Sequence, residues 1–191
     1  MRRSQFEQLP ALESRVVFLG DSITEAGQWD EWFPGVDVAN RGIGGDTSQD
    51  VLDRLDSAVV GAKAVFLLVG TNDLWLKISV ADIVHNVAET VAGISVRAPG
   101  APILLQSVMP RAAKYRLRGV ELNEAYRQLA DQAGVTYIDL WPALSDDQGQ
   151  LPAEYTLDRL HLTGRGYQAW VDLLRPYVEQ FAGETPASRS R

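Results

Sequence analysis

This 191-residue chain contains a hydroxyl, an imidazole and a carboxylate at spacings that would suit nucleophilic chemistry. Ser22 follows Gly20 and Asp21 at the end of an apolar run, and His161 comes three residues after Asp158. A serine hydroxyl is a weak nucleophile unless a base stands beside it. Residues three positions apart near a helix start can face each other, so Asp158 could bond one ring nitrogen of His161 and leave the other as a base.

Each of these short patterns also has a simpler structural interpretation. Ser22 could be a helix N-cap after a glycine turn, and Asp-x-x-His is more often a surface pair or a cap. Asn72, in Gly-Thr-Asn-Asp, could be a turn residue, and Gly44-Gly45 could be a tight loop or an anion cradle. His85 lies off the apolar stripe of its predicted helix and is interpreted as a surface histidine. No single pattern decides the function.

Several other chemistries are disfavoured by the sequence. Ile23 and Thr24 follow Ser22, so the Gly-x-Ser-x-Gly pentapeptide is absent, as are Gly-x-Gly-x-x-Gly and the lysine-bearing P-loop. The absence of cysteine excludes disulfides, thiolate metal sites and a cysteine nucleophile. No third ligand type clusters near Asp158 and His161, so we predict neither a metal nor a cofactor.

Charge and composition narrow the partners and the compartment. A formal net charge of -7 argues against nucleic acid or anionic membrane as the main partner. No apolar run is long enough to span a bilayer, and residues 1–14 lack a signal-like apolar stretch, so we predict a cytoplasmic location. We predict one domain over residues 1–182 and a disordered, small and polar tail over residues 183–191.

The elements that must position these residues alternate between strands and helices. Helical periodicity separates the apolar runs: one helix begins near Asp46 or Thr47, one after Ser79 and one after His161, and one ends at Gly134. Only a short or broken helix is expected after Ser22, because Gly27 weakens it. This order predicts a three-layer α/β/α sandwich around a five-stranded parallel sheet, with the polar groups at the carboxyl ends of strands. The predicted strands are Val16–Leu19, Val36–Ala39, Ala64–Val69, Pro102–Val108 and Val135–Leu140.

Taken together, in this order and at these positions, the polar groups resemble the SGNH hydrolases, also called GDSL esterases. The resemblance extends from about Val16 to the last helix, with Ile23 standing where the family's nickname has leucine. Two stretches, Asn40 to Thr47 and Leu160 to Tyr167, most resemble the catalytic subunits of intracellular platelet-activating-factor acetylhydrolase. The four matching blocks are Gly20-Asp21-Ser22, Gly45, Gly70-Thr71-Asn72-Asp73 and Asp158-x-x-His161.

The resemblance implies a flavodoxin-like fold and a role for each matching residue. Ser22 would be the nucleophile, His161 the base and Asp158 the group that holds the imidazole. The backbone N–H groups of Ser22 and Gly45 and the side-chain amide of Asn72 would form the oxyanion hole. A homodimer is compatible with the resemblance.

The expected activity is therefore serine ester hydrolysis of a small-molecule ester, with a short acyl group because no lid-like insertion is evident. Candidate pocket residues are Asp21, Leu74, Trp75 and Leu160, although the apolar triplet Leu74-Trp75-Leu76 could equally pack beneath the next helix. The predicted loop from Met109 to Arg118 could meet an anionic or sugar alcohol group, or could simply be a solvated basic loop.

Two alternatives stay open at this point. The same groups would serve a thioesterase or a lysophospholipase. From a different class, a non-catalytic module could bind acylated glycans, although such a module has no need of Ser22, Asp158 and His161 together.

Overall fold

The computed structural model describes residues 1–10, 12 and 14–182, and its centre is a five-stranded sheet. All pairings are parallel, in the order β2-β1-β3-β4-β5, which is the flavodoxin-like order. The predicted fold class is confirmed. The predicted disordered tail, residues 183–191, lies outside the described residues. The strands are β1 Val16–Gly20, β2 Val38–Gly42, β3 Ala64–Leu68, β4 Ile103–Gln106 and β5 Thr136–Ile138.

Helices cover both faces of the sheet. Alternate residues of each strand point to opposite faces, so Val17 and Leu19 join one apolar cluster while Val16 and Phe18 join the other. The helices are α1 Arg2–Phe6, α2 Ser22–Glu25, α3 Trp29–Trp32, α4 Ser48–Leu52, α5 Leu55–Ala58, α6 Thr71–Leu76, α7 Val80–Arg97, α8 Ala113–Ala133, α9 Trp141–Leu144 and α10 Gly164–Val178. Buried side chains of α4, α5, α7 and α8 pack in the first cluster, and those of α3, α9 and α10 in the second.

An aromatic cluster fastens α3 and α10 to the first strand. The ring of Phe18 stacks on that of Trp29 with centroids 4.0 Å apart, and Trp170 meets Trp29 edge-on at 4.8 Å. The indole N–H of Trp170 also donates to the side-chain oxygen of Gln106 at 2.8 Å, so this buried ring leaves no polar atom unpaired. The cluster therefore fixes the start of α10 relative to the end of β1.

The helix predicted to run from position 46 or 47 to position 59 is instead two short helices, α4 and α5. A capping box between Thr47 and Asp50 starts α4. The break falls at Asp53 and Arg54, where the Arg54 side chain turns into the protein and bonds backbone carbonyls. The apolar spacing is helical on both sides of the break, and the Arg54 side chain points inward between the two helices.

Other element boundaries also differ from the prediction. Strand β2 begins at Val38 rather than Val36, and the predicted loop from Met109 to Arg118 ends early because α8 begins at Ala113. Asn72 lies in the first turn of α6 rather than in an open turn. The Ser79 cap and the left-handed Gly134 at the end of α8 are confirmed.

Candidate active site

Ser22 stands at the carboxyl end of β1 as the first residue of α2. The Asp21 side chain caps this helix by accepting the backbone N–H of Ile23 at 2.9 Å. Glycine is required at position 20, because an added Cβ would lie 2.2 Å from the carbonyl oxygen of Leu68. The hydroxyl is therefore held where the strand order reverses, between β1 and β3, which is where open α/β sheets bind ligands.

His161 and Asp158 come from the turn that precedes α10. Asp158 Oδ2 lies 2.6 Å from His161 Nδ1, and His161 Nε2 lies 3.0 Å from the Oγ of Ser22. Asp158 Oδ1 also accepts the backbone N–H groups of His161 at 2.8 Å and Leu160 at 2.9 Å. The structure brings the hydroxyl, imidazole and carboxylate into one hydrogen-bonded line, which is the geometry of a nucleophile, a base and its orienting group.

The Asp158 carboxylate is kept ionised. Partial desolvation raises its pKa, but the hydrogen bonds from the His161 ring and from the backbone N–H groups of His161 and Leu160 outweigh this effect and lower the pKa to about 2. An ionised carboxylate beside Nδ1 favours the tautomer in which Nδ1 carries the proton. Nε2 is then free to accept a proton from Ser22.

A second hydrogen bond joins the segment that contains Ser22 to the segment that contains His161. The hydroxyl of Tyr167, in the first turns of α10, donates to the backbone carbonyl of Ile23 at 2.6 Å. Ile23 follows Ser22 in α2, and Tyr167 lies in α10, six positions after His161. This bond therefore ties α10, which follows the turn that contains the imidazole, to α2, which begins at the serine. The sequence analysis named Tyr167 only as the end of a stretch that resembles the family and did not predict this bond of its hydroxyl.

The loop that contains Gly45 passes beside the serine, since a Cβ added to Gly44 would lie 3.7 Å from Ser22 Cβ, and Asn72 bonds the residue after Gly45. Gly45 has a φ of +89°, and an added Cβ would meet no atom within 4 Å, so the conformation and not crowding demands glycine. The Asn72 amide donates one N–H to the Asp46 carbonyl at 2.8 Å and has a second N–H to offer. The N–H of Ser22, in the first turn of α2, has no intrahelical acceptor. These donors could together receive a negative oxygen.

The candidate pocket residues occupy different environments. Asp21 is 1 % exposed and caps α2 from inside the protein, and its place in the pocket stays a prediction. Burial raises the pKa of Asp21 to about 7, with smaller opposed effects from the Ile23 N–H and from Asp46. Leu74 is buried in the core, while Trp75 is 62 % exposed. Leu160 is half-buried against the second cluster.

A surface depression of about 380 Å³ opens beside α6. Buried Leu74 and exposed Trp75 both form part of its lining, and the role of this apolar stretch in an acyl pocket stays a prediction. From the chain after β4, Tyr115 joins the lining, whereas Met109 is buried and Arg116 is exposed. Arg111 donates to the backbone carbonyl of Thr71 at 2.9 Å, one residue before Asn72.

Sequence reasoning missed the buried polar groups behind the site. Asp73 is fully buried and accepts both the backbone N–H and the hydroxyl of Ser48, at the start of α4. Burial raises the pKa of Asp73, and the bonds from Ser48 oppose the rise. Arg54 is buried beside Asp46. A signal for Arg54 was present, because helical spacing from Val51 to Ala58 places position 54 on the apolar face.

Two other features concern the described residues as a whole. They contain no group of three or more side chains placed to hold a metal ion. Among the helices of residues 1–10, 12 and 14–182, none has the length and apolar character needed to cross a membrane.

Residues 18–169 match the family model of the GDSL-like lipases and acylhydrolases. The chain belongs to this family. It is 31% identical over 196 residues to the human platelet-activating factor acetylhydrolase IB subunit alpha2, covering 93% of this chain and 81% of the relative. The bovine alpha1 subunit is 29% identical, covering 81% and 71%.

Solved structures agree with the family membership. A protein from Streptococcus pneumoniae named as a platelet activating factor superposes with a TM-score of 0.86 at 28% identity, covering 93% of this chain and 91% of that chain. A GDSL-like lipase from Bacteroides thetaiotaomicron shares the fold, with a TM-score of 0.80 at 24% identity over 93% and 95% of the two chains. This GDSL-like hydrolase is accordingly a carboxylic ester hydrolase of the esterase or lipase type, which favours an enzyme over the non-catalytic binding module.

Proposed function

We propose that this enzyme hydrolyses esters of short acyl groups, acetyl first, through an acyl-enzyme formed on Ser22. The single observation that carries the proposal is the unbroken line Ser22 Oγ–His161 Nε2 at 3.0 Å and His161 Nδ1–Asp158 Oδ2 at 2.6 Å. Nε2 takes the serine proton as Oγ attacks the ester carbonyl carbon. The imidazolium, stabilised by the Asp158 carboxylate, then gives that proton to the departing alcohol. Water repeats the sequence on the acyl-enzyme and releases the acid.

The negative charge that develops on the carbonyl oxygen would be received by the N–H groups of Ser22 and Gly45 and by the Asn72 amide. The fixed direction of the Asn72 amide supports this role, because its bond to the Asp46 carbonyl prevents free rotation. Preorganised donors of this kind need no rearrangement as the charge forms, and they are each worth about 100- to 1,000-fold in turnover.

The short acyl preference rests on two observations. The longest connection beside the site, residues 145–163, itself supplies Asp158 and His161, and the other described connections around the site are too short to form a lid over a long acyl chain. The curated relatives at 31% identity are named acetylhydrolases. An acetyl group needs little apolar wall, and half-buried Leu160, next to His161, would supply some of it.

The test is hydrolysis of p-nitrophenyl esters of increasing acyl length by the purified protein. We expect the acetate to be among the best substrates and Ser22→Ala to abolish turnover, while Ser95→Ala, on the outer surface of α7, retains it. Equal turnover by Ser22→Ala would disprove the mechanism. An optimum at ten carbons or more would refute the acyl preference, and faster turnover of acetyl thioesters than of oxygen esters would favour the thioesterase alternative.

A further inference from the structure

A buried ion pair lies directly behind the proposed oxyanion hole. The Arg54 side chain is 1% exposed, and its Nε donates to Asp46 Oδ2 at 2.6 Å. One terminal nitrogen of the same guanidinium donates to two backbone carbonyls, that of Gly20 at 3.0 Å and that of Arg41 at 2.9 Å. A single planar group therefore joins the carboxyl ends of β1 and β2 to the loop that contains Gly45.

These contacts reach every donor of the proposed oxyanion hole. Gly20 lies two residues before Ser22 on the same strand end. Asp46 follows Gly45 directly, and its carbonyl accepts the Asn72 amide at 2.8 Å. The Ser22 N–H is thus two residues from a carbonyl that Arg54 binds, and the Gly45 N–H is one residue from Asp46. The Asn72 amide is hydrogen-bonded to Asp46 itself.

Burying this ion pair is costly. Burial raises the pKa of Asp46 and lowers that of Arg54, and the attraction between the two opposes both changes, so desolvation works against the charged pair. Buried pairs can often be exchanged for apolar side chains without loss of stability. The other terminal nitrogen of Arg54 is buried without a partner in the described part of the chain, which adds to this cost.

The loop beside the pair needs an external anchor. Gly45 is exposed and has φ +89°, and no side chain of its own restricts it. A glycine backbone samples many orientations, yet an oxyanion donor is effective only when its N–H is already aimed. The start of the loop is tied to β1 and α2, because the Ile43 backbone N–H donates to the Gly20 carbonyl at 3.0 Å and the Gly44 N–H to the Glu25 carboxylate at 2.5 Å. On the other side of Gly45, Arg54 ties the Asp46 side chain to the ends of β1 and β2.

We propose that Arg54, together with Asp46, is a positioning pair that aims the N–H of Gly45 and the amide of Asn72 at the oxyanion next to Ser22. The pair does not touch the substrate. This inference rests on the proposed function, because it presupposes the oxyanion role of those two groups.

The test compares Arg54→Met, Arg54→Lys and Asp46→Asn with the wild type in kcat, KM and melting temperature on p-nitrophenyl acetate. We expect Arg54→Met to lower kcat at least 30-fold with KM within about threefold, because aimed donors act in the transition state. Arg54→Lys keeps the charge but cannot make the three fixed bonds of the guanidinium, so its kcat should fall between those of the wild type and Arg54→Met. Arg97→Met is the matched control, since Arg97 makes the same type of contact with Asp56, at 2.6 Å, on the protein's surface.

A double variant separates positioning from mere support of the fold. If Arg54 acts in part through Asn72, the kcat losses of Arg54→Met and Asn72→Ala should not fully multiply. Arg54→Met should then cost less kcat in the Asn72→Ala background, where only the aim of Gly45 is left to lose, than in the wild type. Fully multiplied losses, or a folded Arg54→Met with kcat within threefold of the wild type, would overturn the proposal. If Arg54→Met does not fold, Arg54→Lys and Asp46→Asn decide by the same criteria. Full activity in Asn72→Ala would instead show that the oxyanion assignment itself has failed.

Discussion

Asparagine in place of Asp158 would change the proton arrangement of the site while leaving its shape nearly intact. In the structure, Asp158 Oδ1 accepts two backbone N–H groups, from Leu160 and His161, so the amide oxygen of an asparagine would take that place. The amide NH₂ would then occupy the Oδ2 position, 2.6 Å from Nδ1 of the ring. Two donors cannot face each other, so Nδ1 would have to give up its proton and become an acceptor.

The consequence is a reversed imidazole tautomer. The proton would move to Nε2, which lies 3.0 Å from the Oγ of Ser22 and could no longer accept the serine proton. Serine hydrolases with such a reversed tautomer lose about 10,000-fold in kcat although the geometry is retained. Because the backbone bonds to position 158 survive, we expect the melting temperature of Asp158→Asn to stay close to that of the wild type.

Two measurements test this reasoning on the same variant. The first is kcat on p-nitrophenyl acetate. The second is nitrogen NMR of ¹⁵N-histidine-labelled protein at a pH where the ring is neutral; the chain has only two histidines, so a His85→Gln background assigns the signals of His161. We expect Nδ1–H in the wild type and Nε2–H in Asp158→Asn. A variant that keeps Nδ1–H and still loses activity, or that loses less than tenfold, would refute the tautomer argument.

Three further predictions concern the groups around the serine. Asn72→Ala should lower kcat about 100- to 1,000-fold with little change in KM, whereas Asn86→Ala, whose amide bonds the Ser48 hydroxyl instead, should cost less than tenfold in steady-state assays. Gly45→Ala should lower both kcat and stability because φ is +89°, the strain being about 1–2 kcal/mol; Gly35→Ala, equally uncrowded but without positive φ, should change neither in the same kinetic and thermal measurements. Asp21→Asn should stabilise the protein in alkaline solution. Burial raises the Asp21 pKa from 3.8 to about 7, so ionisation opposes folding and stability falls as the pH rises from about 4 to 7. In urea unfolding the variant should gain up to about 4 kcal/mol at pH 8 and nothing near pH 4, and an equal gain at both pH values would contradict the assignment.

The sheet and the residues that meet at its edge could be predicted because both leave local signals. A buried parallel strand is a continuous apolar run in the sequence. A glycine followed by polar residues marks where such a strand ends, as before Ser22 and Asn72. The carboxyl ends of parallel strands share one edge, so residues 50 positions apart could be brought together without knowing any contact. The three-residue spacing of Asp158 and His161 indicates by itself that the two side chains can face each other. The family resemblance supplied the link from this pair to Ser22.

The features that the sequence did not predict depend on tertiary contacts that apolar spacing alone does not specify. The burial of Asp21 is one such feature, since its carboxylate is 1% exposed and accepts the Ile23 N–H at the start of α2. The α4–α5 break was invisible because the apolar spacing continues through it. At the break, the Arg54 guanidinium bonds backbone carbonyls near the ends of two strands, and these contacts exist only once the sheet has formed. A charged residue on the apolar face of a predicted helix therefore predicts that a polar group lies beneath the helix. In this enzyme the polar groups beneath Arg54 are the Gly20 and Arg41 carbonyls and the Asp46 carboxylate, next to the proposed oxyanion hole.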